Sequence, residues 1–100
     1  MGVDWSKRGD YIVRKHGVTP EQADEALADR AALVQDPDPA SRSGVSVRTI
    51  GHSESYGRLL TVITVTDDDG TVYGVNAWRS NDVDTRKYQY ERGDDDGQEA

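Results

Sequence analysis

The chain of 100 residues has no cysteine, no phenylalanine, a single methionine and no long apolar run. Without cysteine there are no disulfides, no thiolate metal ligands and no thiol nucleophile, which fits a reducing compartment. The longest apolar stretch, around Leu59 to Val65, falls far short of the ~20 residues of a membrane-spanning helix, and the N-terminus carries no apolar signal core. The expected location is therefore the cytoplasm, with no membrane contact. Lacking phenylalanine, the chain must draw its large rings from Trp5, Tyr11, Tyr56, Tyr73, Trp78, Tyr88 and Tyr90. Each carries a polar atom that needs a partner or water, so these rings are expected at the edge of the core. Hydrophobic residues make up only 34 % of the chain, enough for one thin core and one domain.

Positive charge is also scarce. Twelve lysines and arginines face 19 acids, giving a formal net charge of −7, which disfavours nucleic-acid binding by bulk attraction. The acids are unevenly placed, however. Setting aside Asp94, Asp95, Asp96 and Glu99 brings −7 to −3, and Asp67, Asp68 and Asp69 fall in one predicted turn. A local basic patch thus remains open to the rest of the chain. The predicted domain covers residues 1–92, and residues 93–100 are expected to form a disordered acidic tail.

What is present reads as α+β: two N-terminal helices, an antiparallel meander sheet of three to four strands, and a C-terminal helix. Trp5 to His16 reads as the first helix, capped by Asp4 or Ser6, with Trp5, Ile12 and Tyr11 inward and Gly17 ending it. Gly9 in its interior weakens it by roughly 1 kcal/mol. The second helix, about Pro20 to Asp29, has Thr19 as its cap, proline in its first turn and Gln22 completing a capping box. Its packed stripe, Ala23, Ala26, Leu27 and Ala31, is nearly all alanine, so it must approach its neighbour closely.

Leu33 to Gln35 is a short strand candidate, and Asp36 to Gly44 reads as a surface loop. Val45, Val47 and Thr49 alternate with Ser46 and Arg48 as in a half-buried strand, and Leu59 to Thr66 has the apolar density of a central strand covered on both faces. The Asp-Gly step at Asp69-Gly70 predicts a hairpin into a strand over about Thr71 to Trp78. Asn81 caps the last helix, on which Val83, Lys87 and Tyr90 share a face.

Three stretches, in order, resemble the BrnT family of toxin–antitoxin ribonucleases, whose fold is like that of RelE toxins. The first runs from Asp4-Trp5-Ser6-Lys7 through Arg14-Lys15-His16-Gly17-Val18-Thr19-Pro20-Glu21-Gln22-Ala23. The second is Arg48-Thr49-Ile50-Gly51-His52-Ser53 with Gly57-Arg58-Leu59-Leu60. The third is Ala77-Trp78-Arg79-Ser80 with Asp84 and Tyr88. The resemblance implies a RelE-like fold, an RNA substrate, and a cognate protein antitoxin of ribbon-helix-helix type through which alone the toxin meets DNA.

Metal-independent RNA cleavage needs groups that align the 2′-hydroxyl with the scissile phosphate, neutralise charge on it and move two protons. Arginine forks onto phosphate and histidine titrates near neutrality. The candidates are Lys15 and His16 at the end of a helix, His52 and Arg58 flanking a hairpin, and Arg79, Asp84 and Tyr88 around the last helix. Arg79 stands out, because it ends a strand just before a capped helix, where side chains from several elements converge. No phosphate-cradling glycine loop or nucleophile elbow occurs, and no metal or cofactor is expected. The acidic balance, with Asp82, Val83 and Thr85 in the last helix, points to an alternative: a non-catalytic protein-binding domain that keeps a toxin-like fold without its basic cleft.

Overall fold

A computed structural model describes residues 2–91, so the acidic tail expected over 93–100 lies outside the described residues. The elements are α1 (Gly9–His16), α2 (Pro20–Leu27), β1 (Leu33–Gln35), β2 (Ser46–Ser53), β3 (Arg58–Thr66), β4 (Val72–Arg79) and α3 (Asp82–Glu91). The four strands form one antiparallel sheet in the order β1-β2-β3-β4. The α+β class and the meander are as read from sequence. Among the described residues, no helix is long and apolar enough to cross a membrane.

The first helix starts later than its sequence suggests. Asp4 caps no helix: its backbone forms a parallel bridge to β4, with Asp4 N–H donating to Val72 O at 2.8 Å and Gly74 N–H to Asp4 O at 2.9 Å. Its carboxylate takes the Ser6 N–H at 2.8 Å, closing a local turn. A long-range pairing thus takes the backbone that a cap needs, and α1 begins at Gly9 with Arg8 at the N-cap. Gly9 then sits at a helix end, where its flexibility costs little. At the other end Gly17 adopts φ 69°, and the N–H groups of Gly17 and Val18 return to Val13 O and Ile12 O. Both Ile12 and Val18 are fully buried.

The α2 capping box is complete: Thr19 Oγ1 accepts from Gln22 N–H, and Gln22 Oε1 accepts from Thr19 N–H. The helix stops at Leu27, which frees Asp29 for other work. Its alanine stripe does bring it close to the sheet. Ala23 and Ala26 are fully buried, and a side chain at Gly51 of β2 would collide with the Ala26 backbone. Gly74 has the same role beneath the Trp5 ring. Register puts Leu60, Val62 and Ala77 on this helix-covered face, where they join Trp5, Ile12, Val18, Ala23 and Ala26 in the core. Burying each large aliphatic chain contributes about 1.5–3 kcal/mol.

On β2 the expected inward set holds only in part. Val45 lies before the strand and is exposed, Thr49 is buried, and beyond it Ile50 and Gly51 are buried in succession because helices cover both faces there. β3 is buried from Leu60 through Thr64, as a central strand should be. The turn into β4 is held by Asp67, whose Oδ1 accepts from Asp69 N–H at 3.0 Å, and by Asp69, whose Oδ1 accepts from Thr71 N–H at 2.9 Å. Of the seven rings, Trp5 and Tyr88 are buried, Tyr90 is exposed and the other four lie between.

Candidate functional site

Register between neighbouring strands assembles the site. Ser53 stands opposite Arg58, His52 opposite Leu59, and Leu60 opposite Arg79, while Ser80 N–H extends the ladder to Leu59 O at 3.0 Å. The β2–β3 hairpin end and the β4–α3 junction therefore lie side by side. Between them is a shallow open pocket of about 360 Å³, lined by His52, Gly57, Arg58, Leu59, Arg79, Ser80, Asp82 and Thr85. Arg58 and Arg79 are exposed, so their charges reach solvent. Asn81 Oδ1 caps α3 through Asp84 N–H at 2.8 Å, and this sets Asp82 and Thr85 one turn apart on the pocket side.

Three sequence candidates, His52, Arg58 and Arg79, thus meet in one pocket. Lys15 and His16 do not line it. Lys15 is exposed in the last turn of α1, and His16 sits 6.1 Å from the Tyr11 ring and 6.0 Å from the Trp78 ring. Asp84 and Tyr88 hold α3 to the sheet. Asp84, 2 % exposed, accepts through Oδ2 from Arg48 Nη1 at 2.7 Å and from Thr61 Oγ1 at 2.9 Å. With its single proton so used, Thr61 Oγ1 must accept from Ser80 Oγ, 2.8 Å away. Tyr88 donates its hydroxyl to Asp29 Oδ2 at 2.7 Å. The face of α3 turned to the sheet is that of Asp84 and Tyr88, and Val83 and Tyr90 are exposed.

Sequence reading passed over Arg48, which ties the arrangement together. Its Nε donates to Asp38 Oδ1 at 2.9 Å while Nη1 reaches Asp84. Burial opposes the Arg48 charge, but the two carboxylates outweigh it and hold the guanidinium more firmly protonated than usual. Burial likewise pushes Asp38 up, and the Ala40 N–H and Arg48 more than reverse this, leaving it below the ordinary carboxylate range. No local pattern marks these partners, since Asp38 and Asp84 lie far from Arg48 along the chain. Asp82 and Thr85 were legible in principle, by their spacing behind the Asn81 cap.

A second open pocket of about 490 Å³ adjoins the first at His52 and is lined by Glu25, Asp29, Glu54 and Arg30 among others. Glu25 Oε1 takes Ser53 Oγ, Ser55 N–H and Ser55 Oγ at 2.8–2.9 Å, and these bonds, with the Ser55 N–H foremost, hold its carboxyl below the usual range. For Asp29, burial acts upward, and the Tyr88 hydroxyl with the His52 and Ala31 N–H groups brings it down. His52 therefore stands between two arginines and two fixed carboxylates. No protein-family model matches the chain, and no curated protein matches it in sequence.

Proposed function

We propose that the chain is the ribonuclease toxin of a type II toxin–antitoxin pair, an endoribonuclease that needs no metal and cleaves RNA through the 2′-hydroxyl. The observation that carries this reading is the convergence of Arg58, Arg79 and His52 on one open pocket. Two guanidiniums suit a phosphate and the charge that builds on it during attack, and an imidazole beside them suits transfer of the 2′-hydroxyl proton. The BrnT-like order of motifs supports the same assignment. Asp84 and Tyr88 then act as positioning residues for α3, and Lys15 and His16 stand outside the reacting centre. The cognate partner is an antitoxin protein of ribbon-helix-helix type, which supplies any DNA contact, and the setting is the cytoplasm.

Induction of the full chain in bacterial cells should slow growth, and the purified protein should cleave RNA in EDTA. Arg79→Ala should abolish cleavage while the melting temperature changes by no more than a few degrees, as for an exposed side chain. If neither growth nor RNA is affected, the reading is lost. One observation favours the non-catalytic alternative: Asp84 and Tyr88 are engaged in holding α3, which leaves His52 as the one histidine lining the pocket. On that reading the chain captures a protein partner and leaves RNA intact.

A further inference from the structure

Two groups of cations and rings lie along the outer edge of the sheet, apart from the pocket. The Arg8 guanidinium lies 4.1 Å from the centre of the Tyr11 ring, and the Lys7 ammonium lies 4.5 Å from that of Tyr73. Tyr11 meets His16 edge-on at 6.1 Å, His16 meets Trp78 at 6.0 Å, and Arg48 stands 5.7 Å from the Trp78 ring. None of these four rings is buried, in contrast to Trp5 and Tyr88. Arg14 and Lys15 are exposed beside them in the last turn of α1. On a chain of net charge −7, residues 4–16 carry Lys7, Arg8, Arg14 and Lys15 against only Asp4 and Asp10.

We infer that this α1–β4 edge is a binding track for single-stranded RNA, with bases stacking on Tyr11, His16 and Trp78 and phosphates held by the exposed cations Lys7, Arg14 and Lys15 beside them. The choice of RNA rests on the ribonuclease reading; the track itself rests on the geometry. Base stacking on partly exposed rings and an electrostatic groove along the backbone are the two means by which proteins hold single strands without reading sequence. The track also leads to the right place. Arg79 directly follows Trp78 at the end of β4 and lines the pocket; because neighbouring side chains of a strand point to opposite faces, RNA on the track passes around the end of β4 to bring a phosphate to Arg79, Arg58 and His52. The track thereby names the substrate class as unpaired RNA with little base preference.

The test is a titration of the full chain at low salt with a 2′-O-methyl oligouridine of about ten nucleotides, which cannot be cleaved through its 2′-oxygen. Tryptophan emission reports binding, and because Trp5 is 8 % exposed the change arises at Trp78. The expected result is quenching that saturates, weakens steeply with salt and is not competed by duplex RNA, whose bases are already paired and stacked. By anisotropy of a labelled strand, Trp78→Leu and Tyr11→Leu should each weaken binding about tenfold. Lys7→Gln, at an exposed position that leaves the fold intact, should flatten the salt dependence.

Absence of binding by the wild-type chain overturns the track, as do unchanged affinity in the folded Tyr11 and Lys7 variants or equal competition by duplex RNA or polyglutamate. The two readings fail separately. Ring-dependent binding without cleavage of ordinary RNA keeps the track and removes the nuclease; cleavage that ignores both ring substitutions keeps the nuclease and removes the track.

Discussion

Replacing Asp84 with alanine should cost about 3 kcal/mol of folding stability, a magnitude that follows from what the carboxylate holds. Asp84 is 2 % exposed and its Oδ2 serves both Arg48 and Thr61. Breaking a buried ion pair from one side costs about 3–5 kcal/mol, because the other charge is left desolvated. Arg48 keeps Asp38 at 2.9 Å and its side chain is 15 % exposed, so the lower end of that range applies. The Thr61 hydroxyl keeps Ser80 Oγ at 2.8 Å as a partner, so it adds little. For a domain of this size, about 3 kcal/mol lowers the melting temperature by roughly 12–24 °C. Asp84→Asn keeps the shape and one acceptor, and should lose about half as much.

Circular dichroism with heat and urea on wild type, Asp84→Ala, Arg48→Met and the double variant gives the coupling directly. The double variant should lose at least about 1 kcal/mol less than the sum of the singles, since each substitution removes the reason for the other's cost. Additive losses, or an Asp84→Ala loss below about 0.5 kcal/mol as at an ordinary surface position, would refute the reasoning. If the chain is the ribonuclease proposed above, the folded fraction of Asp84→Ala should also cleave RNA more slowly than wild type, because Asp82 and Thr85 on the same helix line the pocket.

Gly51→Ala should cost about 1–3 kcal/mol in urea unfolding, since the new methyl meets the Ala26 backbone, which has no rotamer through which to yield; a neutral result would mean that α2 does not sit so close. Asp29 and Asp38 both titrate below their ordinary 3.8 in the folded chain. Folding therefore gains from their ionised forms, in full above about pH 5, and the gain is lost as pH falls through 3.8 toward the folded values. Urea midpoints should drop between about pH 5 and pH 3, and Asp38→Asn should flatten that slope.

Local signals in the sequence carried much of the fold. Thr19-Pro20 with Gln22, Gly17, Asn81 and the Asp-Gly turn each satisfy backbone groups within a few residues, so their meaning is complete in a short window. The errors arose where a distant partner took over a local group. Asp4 reads as a cap until β4 claims its backbone, and Val83 with Tyr90 reads as a packing face until Arg48, Thr61 and Asp29 draw in the polar side of α3 instead. The same division runs through the site. His52, Arg58 and Arg79 were visible as residues at the ends of elements, whereas their meeting depends on strand register, which no short window fixes.

Distance reconciles an acidic chain with a site for an anion. β3 runs from Arg58 at the pocket to Thr66 at the Asp67–Asp69 turn, and eight steps at about 3.3 Å place that turn some 26 Å away. The screening length at physiological salt is about 8 Å. At such salt the turn's charges therefore reach the pocket strongly attenuated, and the formal −7 says little about the field there. Glu25 and Asp29 lie much closer, on the other side of His52, but they are pinned by serine, tyrosine and backbone donors. At low ionic strength the screening length grows to about 30 Å, and the acidic turn then opposes the approach of RNA. On the proposed ribonuclease reading, RNA affinity at the pocket is thus the outcome of two opposed salt effects, contact with the arginines weakening and repulsion from the turn fading as salt rises.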